Sequence, residues 1–439
     1  MQLLSGNLFR KKMAGWELLV IFLIIVFSFS CSSTPLPRGG SVTVPEDFFG
    51  IVHAGETRTP EEYQLLNEMG VTWVLRTFYW NTVENEQGKF DFAGYDDYVG
   101  TAIREGKKVL AVLGYEADWL YPPGKSKKYI SPENIPLFLN YVEETVRHFG
   151  GRVDAWEIWN EPNLMFWKGK DKEFFELTRL AAERIRETDP DAYILGGIFW
   201  RTPKSFIKKM HKAGAMENLD GLAFHPYAVN PRGSMKVHDK FLDVLSQINY
   251  TGPVWITEMG YPTAGWYPTK ASPEEFPAYI VKTMTGSAAR GARVLLWYEL
   301  FDSYNKDEVP PKTRDSEKFF GLLYPNYERK DGAWAYELCA RFLPGSRLAN
   351  DILQRENIPS NVISFCFMDG AAGNNTLILW NDKNRIQNAV LSLASPALLH
   401  DASTGQSQSL AAEASLEIGN MPLIITWEGT AAPRLVIDK

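Results

Sequence analysis

Between residues 48 and 298 the chain alternates, eight times over, a short apolar run with a longer amphipathic stretch. The runs fall at 48–53, 71–78, 109–113, 153–159, 193–196, 221–225, 254–258 and 294–298. They are mostly continuous in hydrophobicity rather than alternating, the pattern of a strand covered on both faces, and such strands belong to parallel sheets with crossover helices packed outside. The amphipathic stretches at 96–104, 136–148, 173–187, 203–212, 237–247 and 274–290 supply the crossovers. Thr59-Pro60-Glu61-Glu62, Ser131-Pro132-Glu133 and Ser272-Pro273-Glu274 each combine a capping hydroxyl, a first-turn proline and an acid, and so mark helix starts. Gly70 closes the first of these helices. Eight strand-plus-helix units, recurring at roughly 40 residues, predict a closed (β/α)8 TIM barrel. A doubly wound open sheet uses the same units, but no glycine-rich phosphate loop supports it.

After a last helical stretch at 333–342 and the breaker Pro344-Gly345, the texture changes. Short runs at 361–367, 376–380, 389–393, 415–418 and 423–427 are separated by Gly, Asn, Asp and Ser. Residues 346–439 are therefore expected to form a small C-terminal antiparallel β-sandwich, behind a barrel spanning 44–345. The tail holds no carboxylate constellation, so a domain that packs on the barrel is favoured over a carbohydrate-binding module.

Arg10, Lys11 and Lys12 precede a largely apolar run from Leu18 to Phe29, and Ser30-Cys31-Ser32-Ser33 follows. Twelve residues fall short of the about 18 to 20 that cross a bilayer as a helix, so 1–30 reads as a bacterial signal peptide of lipoprotein type. Cys31 is then the lipidation site, and the Ser-, Pro- and Gly-rich 31–43 a tether. The expectation is an exported chain, lipid-anchored at the cell envelope or surface. Loss of the leader takes three basic groups and one acid with it, moving the formal net charge from −7 to −9. An acidic chain of this kind argues against nucleic acid as a partner. It leaves carbohydrate open, because sugars are held mainly by hydrogen bonds and aromatic faces. Cys339 and Cys366 could pair or remain free thiols, and neither they nor the six His stand at metal-ligand spacing. No metal and no cofactor are expected.

Two acids end apolar runs, Glu161 in Trp156-Glu-Ile-Trp-Asn-Glu-Pro-Asn163 and Glu258 in Val254-Trp-Ile-Thr-Glu-Met259. A carboxylate is costly to desolvate, so one kept at the mouth of a buried strand has a partner or a chemical task. Functional groups of such barrels collect at the C-terminal ends of the strands. Glu161 follows the fourth strand and Glu258 ends the seventh, which lets both converge on one ligand as acid and nucleophile. The bland alternative is an ion pair at the barrel rim. Glu157, four residues before Glu161, is expected to be a salt-bridged core residue.

Asn160-Glu161-Pro162 together with Ile256-Thr-Glu-Met-Gly260 resembles the clan of retaining glycoside hydrolases built on (β/α)8 barrels. Leu75-Arg76, Trp80, Val83-Glu84, Gly88-Lys-Phe-Asp-Phe92, Asp96, Phe224-His225-Pro226-Tyr227 and Trp297 extend the resemblance over about 45–345. The Trp-Asn-Glu-Pro-Asn string is most similar to glycoside hydrolase family 39, with family 5 close behind. The resemblance implies Glu161 as general acid/base, Glu258 as nucleophile, and Asn160 as hydrogen-bond partner of the sugar 2-hydroxyl. It also implies that Arg76 and Tyr227 orient Glu258, that His225 joins the substrate-binding set, and that Trp297 floors the sugar subsite. Trp119, Trp167 and Trp266 are candidates for outer subsites. The activity so implied is hydrolysis of a β-linked oligo- or polysaccharide through a glycosyl-enzyme. A surface glycan-binding protein without turnover, or a transglycosylase using the same residues, are the alternatives.

Overall fold

The computed structural model describes residues 42–52, 59–122, 128–265, 270–308, 315–370, 373–383 and 385–437. The proposed leader, Cys31, most of the tether and Trp266 lie outside the described residues.

Eight parallel strands close in sequence order: β1 (Phe49–Val52), β2 (Trp73–Tyr79), β3 (Lys108–Gly114), β4 (Ala155–Ile158), β5 (Ile194–Trp200), β6 (Gly221–His225), β7 (Val254–Met259) and β8 (Leu295–Tyr298). β8 pairs with β1 to complete the barrel. The two faces of each strand bury into different layers. Trp73, Leu75, Leu110, Val112, Ala155, Leu195, Ala223, Trp255 and Leu296 fill the barrel interior, whereas Val74, Phe78, Val109, Ile158, Ile256 and Trp297 pack outward on the helices. This two-sided burial is why the strands read as continuous apolar runs.

The helix starts follow the local chemistry. Thr59 caps Pro60–Glu68 by accepting from the Glu62 N–H at 3.3 Å, and Gly70, at φ +71°, turns the chain toward β2. Several residues of the family-like strings serve the scaffold. The Glu84 carboxylate accepts from Trp80 Nε1 and from the Gly88 N–H, each at 2.6 Å, and Asp96 binds Arg152 and His148 at 2.8 Å each.

The C-terminal segment forms two sheets. One orders Gln354–Glu356, Arg434–Ile437, Gln387–Ser392 and Glu413–Ile418; the other orders Ser407–Leu410, Ala397–His400, Leu423–Trp427, Asn375–Asn381, Val362–Met368 and Arg347–Leu348. Pairing is antiparallel except between Gln354–Glu356 and Arg434–Ile437, which run parallel. One face of the larger sheet, through Phe365, Phe367, Ile378, Trp380 and Ile424, belongs to the same core as the barrel helices. The end of the expected tether is part of the fold as well, because Val42 and Val44 accept from the Leu348 and Gly345 N–H groups at 2.8 and 2.9 Å. Cys339 and Cys366 are free and buried, and burial pushes both thiols up, Cys366 to about 12.

Candidate active site

The turn after β4 carries Glu161 on an unusual backbone. Trp159 and Glu161 both have positive φ, +69° and +40°, a conformation that costs a non-glycine residue on the order of 1–3 kcal/mol and persists only where its surroundings fix it. Here the Trp159 N–H donates to Leu113 O at 3.0 Å and the Glu161 N–H to Ile198 O at 3.1 Å. Asn163, the last residue of the string, clasps β5. Its Nδ2 donates to Trp200 O and its Oδ1 accepts from the Trp200 N–H, both at 3.0 Å. The turn is thereby tied to β3 and β5, and the Glu161 carboxyl is held over the barrel mouth.

Glu258 reaches the same place from β7, where the pairing with β8 shifts register between Ile256 and Met259. A Cβ at Gly260 would lie 1.8 Å from Tyr298 O. Only glycine lets the end of β8 come this close, and Tyr298 is thereby set beside Glu258.

β6 and the turn just after it supply a partner for each acid. His225 Nδ1 lies 2.7 Å from Glu161 Oε1, and the Tyr227 hydroxyl donates to Glu258 Oε1 at 2.8 Å. One oxygen of Glu161, one oxygen of Glu258 and a His225 ring nitrogen all lie within 4.8 Å of one another. Among the described residues this is the one group of three such side chains close enough to share a cation. Each acid already has a hydrogen-bond partner, His225 at the end of β6 and Tyr227 just beyond it, which makes the trio an acid–base cluster before any ion is invoked.

Burial dominates the electrostatics. It pushes Glu161 up to about 8 and Glu258 up to about 7, with the Glu161 charge adding to the rise of Glu258 while His225 and the Tyr227 hydrogen bond oppose it. The two carboxyls titrate as a pair. Glu258 is the member with a hydroxyl donor, which favours its ionised form, so the first proton lost leaves Glu258 charged and Glu161 protonated. His225 is held neutral by burial. Asn160 stands at the rim of the cluster, its side chain hydrogen-bonded to the Tyr115 hydroxyl.

Three sequence expectations are corrected by which way strand residues face. Arg76 follows inward Leu75 and so points out of the barrel, where its guanidinium lies 4.9 Å from the ring centroids of both Tyr95 and Tyr98. This stacking sets it in the helix layer and not against Glu258. Trp297 likewise faces outward, fully buried, with its centroid 6.2 Å from those of Tyr261 and Phe276. The aromatic that β8 turns toward the mouth is Tyr298, packed at the edge of the interior layer. Period-two alternation counted from Leu296 points to it. Glu157 has no ion-pair partner among the described residues. It sits inside the barrel, hydrogen-bonded to Thr257, and burial pushes it up to about 8.

Of the outer aromatics, Trp167 is core, packed between Trp159 and Phe174. Trp119 leans on Trp80 and donates from Nε1 to Glu84 O at 2.7 Å. The exposed aromatic nearest the cluster is Tyr79, 48 % accessible at the end of β2. Its ring centroid is 6.1 Å from that of Tyr115, which stacks on Phe166 at 6.0 Å.

The barrel-plus-sandwich fold is that of known glycoside hydrolases. A family 39 glycoside hydrolase from the gut symbiont Bacteroides cellulosilyticus superposes with a TM-score of 0.74 at 20 % identity, over 88 % of this chain and 81 % of that one. A family 39 β-xylosidase from Caulobacter crescentus superposes with a TM-score of 0.63 at 18 % identity, over 90 % and 98 %. No protein-family model matches the chain. In sequence it is 27 % identical over 121 residues to endo-1,4-beta-xylanase A of Phanerodontia chrysosporium, 26 % of this chain and 29 % of that protein. It is 28 % identical over 128 residues to a beta-xylosidase of Caldicellulosiruptor saccharolyticus, 26 % of each. Against endo-1,4-beta-xylanase B of Thermotoga neapolitana it is 24 % identical over 211 residues, 42 % of this chain and 57 % of that one. The chain thus spans about a quarter to just over half the length of these curated relatives.

Proposed function

We propose that this protein is a retaining O-glycoside hydrolase that cleaves a β-linked oligo- or polysaccharide by double displacement. The observation that carries the reading is the approach of the Glu161 and Glu258 carboxyl oxygens to within 4.8 Å. A retaining pair stands about 5 to 5.5 Å apart, whereas an inverting pair needs about 6.5 to 9.5 Å to admit a water.

Glu161, protonated, donates to the leaving oxygen while ionised Glu258 attacks the anomeric carbon. Glu161, now a carboxylate, then takes a proton from the water that cleaves the glycosyl-enzyme. Tyr227 holds the attacking carboxylate in line, and Asn160 binds the 2-hydroxyl, an interaction that strengthens as the ring flattens toward the transition state. Tyr298 and Tyr79 offer aromatic faces beside and beyond the cleaved bond. No step uses a cofactor. The xylanases and β-xylosidases among the relatives make β-xylosides the first substrates to offer. The basic, apolar and Cys31 pattern of the N-terminus supports export and lipid anchoring at the cell envelope.

Incubation with 2-deoxy-2-fluoro glycosides of the xylo and gluco series, followed by peptide mass mapping, tests the assignment. A stable adduct on Glu258 is expected. Binding of glycans with neither label nor turnover would replace the enzyme by a glycan receptor.

A further inference from the structure

A hydrogen-bonded chain runs from the active-site mouth into the barrel. From Glu161 Oε1 it passes to His225 Nδ1 at 2.7 Å, and from His225 Nε2 to Thr257 Oγ1 at 3.2 Å. The Thr257 hydroxyl is hydrogen-bonded in turn to the Glu157 carboxyl. All four side chains are buried, with Glu157 1 %, Thr257 0 %, His225 1 % and Glu161 7 % accessible. One Glu157 oxygen, Oε2, has no hydrogen-bond partner among the described residues. The ionisable groups facing the chain are Glu258 from β7 and Tyr115 beyond β3. Tyr227, Tyr298 and Glu317 stand beyond Glu258. The strands paired with β4 set apolar Val112 and Leu195 beside Glu157. A buried acid this close to the catalytic pair, with no cation, is expensive to keep without a task.

We infer that Glu157 and Thr257 are positioning residues which, through His225, form a proton relay that sets the protonation state of Glu161. The inference rests on Glu161 being the acid/base. A neutral imidazole donates at one nitrogen and accepts at the other, so the relay has two self-consistent settings. In the first, the Glu161 O–H donates to Nδ1, the Nε2–H donates to Thr257 Oγ1, and the Thr257 O–H donates to the Glu157 carboxylate. In the second, the Glu161 O–H bond has broken and an Nδ1–H has formed. The Nε2 proton has passed to the Thr257 oxygen, and the former Thr257 hydrogen is on Glu157. Three protons are present in each setting, and one negative charge has moved from Glu157 to Glu161. The first setting arms Glu161 as an acid. The second holds it ionised, with an Nδ1–H donated to it. While one proton is shared, Glu161 cannot ionise without either driving the relay or leaving two buried charges, so it stays protonated to higher pH than it would alone.

Thr257→Val removes the acceptor that holds the proton on Nε2, whereas Glu157→Gln keeps an oxygen that accepts from Thr257 but removes the carboxylate that takes the relayed proton. In Thr257→Val His225 then presents Nδ1–H to Glu161 and favours its ionised form, and in Glu157→Gln no second buried charge opposes that form. The expected result is an alkaline limb of kcat/KM moved to lower pH by about one unit in each variant, with Thr257→Ser restoring the wild-type limb. A second readout needs no turnover. In full chain carrying 15N-histidine at a pH between the two limbs, the His225 nitrogen shifts should average the Nε2–H and Nδ1–H tautomers in the wild type, and report Nδ1–H alone in Thr257→Val and Nε2–H alone in Glu157→Gln. Thermal melts check folding, and if Glu157→Gln fails to fold, Thr257→Val and Thr257→Ser carry the test. A single His225 tautomer at that pH in wild type overturns the relay. So does a limb that moves in Glu157→Gln but not in Thr257→Val, since a through-space field would do that. If no glycoside is turned over, the glycosidase reading fails while the tautomer measurement still decides the relay.

Discussion

The Tyr227 hydroxyl donates to Glu258 Oε1 at 2.8 Å, and this one contact distinguishes two neighbouring buried acids. It favours the charged form of Glu258 and leaves the shared proton on Glu161. Removing it with Tyr227→Phe should raise the pKa of Glu258, which burial already holds at about 7. The acidic limb of the pH–rate profile should therefore move to higher pH, with kcat/KM falling by roughly tenfold or more. A limb that stays put would mean that Tyr227 does not act on the nucleophile.

Activity should fall on both sides of neutrality. In the proposed roles, Glu258 takes up a proton below about 7 and ceases to attack, and Glu161 loses above about 8 the proton it donates. A bell-shaped kcat/KM profile with its maximum between the two limbs is the expected outcome. These limbs belong to the pair, so substitution of either acid should move the limb that remains.

Glu258→Ala should abolish turnover, by roughly 10⁴-fold or more. Azide should restore part of it by attacking the vacated face and giving a glycosyl azide of inverted configuration. Glu161→Ala should instead spare the first step for substrates with good leaving groups, and azide should then yield the product of retained configuration. Product analysis of the two variants distinguishes the roles, and exchanged outcomes would reverse them.

Tyr298 and Trp297 offer a contrast within one dipeptide. Tyr298→Ala should raise KM on aryl glycosides, because its ring is at the mouth. Trp297→Phe should lower the melting temperature and leave KM near wild type, because its ring is fully buried on the outer face of β8. Parallel kinetics and melting curves check both.

The barrel was legible because strands buried on both faces announce themselves as continuous apolar runs. The same property hides which residue faces inward. The outer face of β8 carries no polar position and that of β2 only Arg76 itself, and the likeness of Arg76 and Trp297 to family strings carried no facing with it. Their neighbours Leu75 and Leu296 hold the interior positions instead. Glu161 and Glu258 were legible because a charge at the end of an apolar run stands out. The Asn163 clasp on Trp200 was not, since it depends on where β5 ends. In the sandwich, Ala397–His400, Ser407–Leu410 and Arg434–Ile437 escaped detection as strands of four residues with mixed polarity.

Stability should also report the buried acids. Burial holds Glu157, Glu161 and Glu299 at about 8 and Glu258 at about 7, all above the ordinary glutamate value of 4.5. Groups raised in the folded state contribute fully below their unfolded pKa, and the contribution is lost as pH rises through the folded value. The melting temperature should fall between about pH 5 and pH 8, and Glu157→Gln should flatten the slope. A melting temperature that rises over this window would mean that the acids are ionised in the folded protein.

The most direct test is the anomeric configuration of the first product released by the wild-type protein, followed by proton NMR before mutarotation. With Glu161 and Glu258 oxygens within 4.8 Å of each other, a β-glycoside should give the β-sugar first. Release of the α-sugar first would contradict the double displacement and the roles assigned to both glutamates.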